Sequence, residues 1–131
     1  MRLRLGILSI AVIAVGMLTG CNRVQPIYNV QDRPVQTSGQ RLSLDDMEHR
    51  IITAAQDRKW IVDRLAPGKL RATLRWRDHA AVVLITFDQD DYSIMNDQSQ
   101  NLKQEDGLIH RKYNSHVRAL AQEIDRALNR I

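Results

Sequence analysis

The side chains able to do covalent or acid–base chemistry in this chain are few. There is one thiol, Cys21, and there are four imidazoles, His49, His79, His110 and His116. A single cysteine cannot form an internal disulfide, so in an oxidising compartment it needs another reason to be present. No two histidines lie two to four residues apart, and a zinc site would need a long-range cluster with no local signature. Asp88-Gln89-Asp90-Asp91 begins like a calcium loop. It lacks the glycine at position six and the closing glutamate, and reads as a solvated hairpin turn. No nucleophile elbow, phosphate loop or dinucleotide fingerprint occurs. The expectation is a non-enzymatic protein with no metal and no dissociable cofactor, a hydrolase being the weakest alternative.

Two other constellations stand out. Ser99, Asn101, His110, Tyr113 and Asn114 gather polar groups around the start of the last predicted helix. They suit hydrogen bonding to loop backbone and helix start, with a small recognition patch as the functional alternative. Arg71, Thr73, Arg75 and Arg77 alternate along one predicted strand, beside Val82 and Leu84 of the next. That pattern is a solvated sheet face or a docking face, since arginine beside apolar side chains is enriched at protein interfaces. Phosphate-bearing lipid headgroups, lipopolysaccharide or peptidoglycan are the alternative ligands, the phosphates through bidentate contacts.

The elements that position these residues can be read in order. Ser43 with Asp46 makes a helix-capping pattern, and Leu44, Met47, Ile51 and Ala54/Ala55 recur at helical spacing, predicting a helix over 44–59. Residues 60–65 predict a short strand, and Pro67-Gly68 a turn. Strict alternation of Leu70, Ala72, Leu74 and Trp76 with the arginine stripe predicts a half-buried strand. Residues 80–87 are apolar on both faces, as in a central strand, and 92–97 predict a fourth. Residues 98–107 read as loop, and apolar positions from Ile109 to Leu128 as a final amphipathic helix. Short connections require antiparallel pairing. The expected fold is α+β: a two-layer sandwich of helix, four-stranded antiparallel meander and helix, over 42–131. A two-residue turn at Asp78-His79 would pair Trp76 with Ala81, Leu74 with Val83, Ala72 with Ile85 and Leu70 with Phe87, all facing the helices. Trp60, Trp76, Phe87, Tyr92 and Tyr113 read as core anchors.

The N-terminus has a different character. Arg2 and Arg4 precede an apolar run from Leu5 to Leu18, then Leu18-Thr19-Gly20-Cys21. A basic start, a short apolar run and a small-residue site describe a cleaved signal peptide, residues 1–20, and the run is shorter than the roughly 20 residues a spanning helix needs. The tetrapeptide resembles the lipobox of bacterial lipoproteins. That resemblance implies a diacylglyceryl group on the Cys21 thiol, cleavage after Gly20 and acylation of the new amine. Buried acyl chains contribute about 0.8 kcal/mol per methylene, and two or more anchor stably. Asn22, where an aspartate would signal inner-membrane retention in enterobacteria, points to the outer membrane with the domain in the periplasm. Residues 21–41, broken by Pro26, Pro34, Ser38 and Gly39, read as a lipidated flexible tether. Ile27, Tyr28 and Val30 are exceptions that suit an edge strand or docking on the domain.

From Leu44 onward the chain also resembles a group of small uncharacterised proteobacterial lipoproteins. The resemblance lies in Ile52-Thr53-Ala54-Ala55 leading to Trp60, in Pro67-Gly68, and in Ala72-Thr73-Leu74 with Arg77 and His79. It continues in Tyr92-Ser93-Ile94, Ser99-Gln100-Asn101-Leu102, Ile109-His110 and Tyr113-Asn114, and covers about 90 residues. His116 stands where that group has tryptophan. The group supplies no biochemical activity to carry over. Without Arg2 and Arg4 the basic side chains number 17 against 15 acidic, a formal +2, which gives no nucleic-acid footprint. The expected partners are a membrane, through the lipid, and another envelope protein.

Overall fold

A computed structural model describes residues 23–36 and 39–129. The signal-peptide and Cys21 expectations lie outside the described residues. The fold is α+β, with two helices, a five-stranded antiparallel sheet and a separate two-stranded one. The elements are β1 (Val24–Pro26), β2 (Val30–Pro34), α1 (Leu44–Asp57), β3 (Ile61–Ala66), β4 (Lys69–Trp76), β5 (His79–Phe87), β6 (Asp91–Asn96), β7 (Leu108–His110) and α2 (Arg111–Asn129). The large sheet runs β2-β6-β5-β4-β3, and β1 pairs with β7.

The helix ends follow local chemistry. Ser43 Oγ accepts from the Asp46 N–H at 3.1 Å, and Asp45 and Asp46 place negative charge in the first turn of α1, where the helix dipole favours it. The helix stops at Asp57, before the expected Lys59. Lys59 adopts a left-handed φ of 70°, its N–H donates to Gln56 O, and the Trp60 N–H donates to Ala55 O. That pair of bonds satisfies the last carbonyls and turns Trp60 back into the core, where it is 2% exposed.

The meander β3-β4-β5-β6 forms as expected, with three corrections. Its β4–β5 turn falls one residue early, at Arg77-Asp78, so Trp76 pairs with His79, Leu74 with Ala81, Ala72 with Val83 and Leu70 with Ile85. Arg77 accepts a positive φ of 52° to make this turn. The register thus slips by two residues, and a two-residue slip keeps every side chain on its expected face. Leu70, Ala72, Leu74, Ala81, Val83, Ile85 and Phe87 are buried in one cluster with Met47, Ile51, Val117, Leu120 and Ile124 of the helices.

Second, the sheet has five strands. β2, from the stretch read as tether, adds to the edge of β6, with Val30 opposite Ile94 and 4% exposed. Third, residues 98–107 are not all loop. Gln100 bridges to Ala80 by two backbone hydrogen bonds, and Leu108–His110 form β7 against β1, delaying α2 to Arg111. Residues 24–34 are therefore largely sheet. Ile27, Tyr28 and Val35 pack against the core.

Candidate functional site

The polar residues near α2 do not gather into one surface patch. Ser99 completes the β5 ladder where β6 ends: the Val82 N–H donates to Ser99 Oγ at 3.0 Å, and Ser99 Oγ donates to Asn96 Oδ1 at 2.6 Å. Asn101 Nδ2 donates to Asp78 O at 2.7 Å, tying this segment to the β4–β5 turn. His110 Nδ1 accepts from the Lys112 N–H at 3.2 Å and so caps the start of α2. Asn114 is 1% exposed; its Oδ1 accepts from the Tyr28 N–H at 2.9 Å and its Nδ2 donates to Pro26 O at 2.9 Å. It clamps the bend between β1 and β2.

Tyr113 is fully buried, and its hydroxyl has no hydrogen-bond partner. Burial pushes that hydroxyl well above the usual tyrosine range. An unpaired buried hydroxyl is a cost without return. Tyr113→Phe is therefore expected to raise stability by about 1 kcal/mol, or about 4 °C in Tm, for a domain of this size. Thermal denaturation decides it, and a Tm below wild type would mean the hydroxyl has a partner in solution.

The arginine stripe also divides. Arg71, Thr73 and Arg75 lie on the open sheet face with half-buried Val82, Leu84 and Met95, and Ile61 opposite Thr73 is 65% exposed. Arg71 Nε is paired with Asp97 Oδ2 at 3.1 Å. Arg77 has left the stripe for the turn, and lines a cleft of about 530 Å³ at that end of the sheet.

This cleft was not foreseen from sequence. Arg23 before β1, Arg77, and Arg111 and Lys112 at the start of α2 all line it. Its other walls are rings: Trp76, His79, His110 and His116. The His116 and Trp76 centroids are 4.5 Å apart, Trp76 and His79 5.4 Å, and His79 and His110 5.7 Å. Thus His116, in place of the tryptophan expected from the resemblance, packs on Trp76. His79 Nδ1 lies 2.6 Å from Asn101 O. A carbonyl only accepts, so Nδ1 carries the hydrogen. His79 Nε2 faces Asp78 Oδ1 at 3.5 Å.

Three of the four histidines thus converge although no local spacing announced it, while His49 sits apart on α1. Among the described residues no group of three His, Cys, Asp or Glu side chains is arranged to hold a metal ion. No helix among them is long and apolar enough to cross a membrane. Asp88, read from the sequence as part of a solvated hairpin turn, accepts from the Asp90 and Asp91 N–H groups at 2.8 and 3.0 Å, closing that turn.

Compared with protein-family models, with curated proteins and with solved structures, the chain matches none.

The cleft histidines set a pH dependence. Burial lowers the pKa of His110, with electrostatic repulsion from Lys103, Arg111 and Arg23 and the neighbouring His79 imidazole adding to it. Burial, then Lys112, lowers that of His116. Both fall below the ordinary value of 6.5, so the unfolded chain takes up protons first as pH drops. The stabilisation is complete above about pH 6.5 and is lost as pH falls through the depressed folded values. Tm is expected to be flat from about pH 8 to 7 and to decline below 6.5, with a smaller decline in His116→Gln. A Tm that rises on acidification from neutral pH would reverse the sign and refute the assignment.

Proposed function

We propose that the chain is a membrane-anchored envelope lipoprotein whose domain is non-enzymatic and binds another envelope component in the periplasm, with the outer membrane as its location. What supports the anchor is the lipobox-like Leu18-Thr19-Gly20-Cys21 after a short apolar run, and the spacing between Cys21 and the first strand sets how closely it would hold the domain. Cys21 ends the lipobox, and Val24 is already paired with His110 in β1. At roughly 3.5 Å per residue the connection spans about 10 Å at most. A lipid on Cys21 therefore holds the domain against the membrane instead of on a long leash.

The two-layer arrangement leaves one sheet face free for a partner protein. Val82, Leu84, Met95 and Ile61 give it an apolar centre, and Arg75 adds a cation that among the described residues is in no ion pair. A partner surface with apolar side chains around a carboxylate opposite Arg75 complements it.

Mass spectrometry of the mature N-terminus tests the anchor: a diacylglyceryl, N-acylated Cys21 is expected. An unmodified terminus, or one retaining Met1, would overturn it. Site-specific photo-crosslinking from Leu84 in intact cells tests the face. A discrete adduct that disappears in Arg75→Glu and Val82→Asp is expected, and an adduct unchanged in both refutes the docking face.

A further inference from the structure

We propose that the cleft between the β4–β5 turn and the start of α2 is a binding site for a phosphate group, presented by an anionic lipid headgroup or as the free anion. The argument starts from charge. Arg23, Arg77, Arg111 and Lys112 line one cleft, and among the described residues none has a carboxylate within ion-pair distance. Several arginines elsewhere are paired, Arg33 with Asp125, Arg41 with Asp90, Arg64 with Glu48 and Arg71 with Asp97; what distinguishes the cleft is that four cations unpaired among the described residues share one concave site. Asp78 faces His79, a lining residue, at 3.5 Å and is largely exposed.

The placement works against the fold. α1 opens with Asp45 and Asp46, as the helix dipole prefers, whereas α2 has no acid in its first turn and opens with Arg111 and Lys112. Like charges crowd each other and the positive end of a helix, and an anion in the cleft relieves both. The Lys112 N–H is already capped by His110, so the recognising groups are guanidinium and ammonium side chains. Arginine forks match the oxygens of a phosphate in bidentate fashion. Trp76 and His116, in contact with their rings tilted by 54°, supply aromatic surface for the uncharged part of a ligand.

The position of the cleft favours a lipid source, a step that rests on the lipid-anchor reading. Arg23 is two residues from Cys21, at most about 7 Å of extended chain, so a lipid on Cys21 would hold Arg23 close to the bilayer surface. Phosphate recognition itself does not depend on that step.

The test uses the purified full chain in a neutral detergent, reading tryptophan emission. Trp76 lines the cleft, and Trp60 is buried in the core as a constant background. Short-chain phosphatidylglycerol, short-chain phosphatidylcholine and inorganic phosphate are titrated separately at low salt. Saturable binding of phosphatidylglycerol is expected, weakened about tenfold or more in Arg111→Gln and in Arg77→Asn. Asparagine tolerates the positive φ at position 77, so that variant removes the cation and keeps the turn. Lys69→Gln, at the end of β4 away from Trp76, is expected to bind as wild type does.

Tighter binding of phosphatidylglycerol than of inorganic phosphate identifies the lipid source, and the reverse identifies the free anion; either supports the site. No saturable response to any of the three, or equal binding by Arg77→Asn, Arg111→Gln and wild type, overturns it. The N-terminal mass of the same preparation separates the two readings. An unlipidated terminus with intact binding removes the anchor and leaves the cleft.

Discussion

Gly68→Ala is expected to destabilise the domain by about 2–4 kcal/mol, lowering Tm by roughly 10 °C or more. Gly68 sits in the turn between β3 and β4 with φ of 75°, a conformation L side chains rarely adopt. A Cβ there would stand 2.7 Å from the backbone oxygen of Phe87. The contact cannot relax cheaply, because the Phe87 N–H donates to Gly68 O at 3.0 Å and holds the end of β5 on the turn. Backbone strain and collision therefore add. Gly107→Ala separates them: its φ is 77°, but nothing lies within 4 Å of the new Cβ. It is expected to cost only the strain, about 1 kcal/mol. Denaturant unfolding of both variants measures the difference. Equal losses at the two positions would show that the approach of Phe87 contributes nothing.

Periodicity made the meander and both helices legible, because each buries one face, and burial leaves a repeat of 2 or 3.6 in the sequence. It placed the core face of β4 and β5 correctly and missed the register by two residues. Alternation fixes which side a residue faces but not where the turn falls, and nothing in the types of Arg77 and Asp78 announces a left-handed φ at Arg77. β1, β2 and β7 were harder to see. They are short, β1 and β2 contain proline and polar residues, and all three are stabilised by partners far away in sequence, such as Ile94 for Val30 and His110 for Val24. The cleft was invisible for the same reason. Arg23, Trp76, Arg77, His79, Arg111 and His116 come from the residue before β1, the β4–β5 hairpin and α2, and meet only after folding. One clue was present: Arg111 and Lys112 open α2 where acidic residues are the favoured choice.

That geometry makes Asn114 the residue linking stability to the docking of the N-terminal segment. Asn114→Leu leaves the Tyr28 N–H and the Pro26 carbonyl without their side-chain partners. Each buried polar group so orphaned costs about 1–3 kcal/mol. Asn114→Asp keeps the acceptor for Tyr28 but loses the donor to Pro26 O and places a charge at a site 1% exposed. The segment can escape these costs by detaching, since β1 holds to β7 through three residue pairs and β2 lies at a sheet edge. The expected result is a loss of about 2–4 kcal/mol, with hydrogen exchange at residues 24–30 rising far more than in β4 or β5. Uniform exchange across all strands would show that Asn114 acts on the whole core and not on the N-terminal clamp. Detachment also changes reach. About 20 freed residues have an r.m.s. span of about 25 Å, against about 10 Å for the docked connection. Arg23, whose carbonyl accepts from the Arg111 N–H at 2.8 Å, would leave the cleft with them. Phosphate binding is therefore expected to weaken in Asn114→Leu, although Asn114 does not line the cleft. Unchanged phosphate affinity alongside rapid exchange at 24–30 would remove Arg23 from the site and leave Arg77, Arg111 and Lys112 to hold the anion.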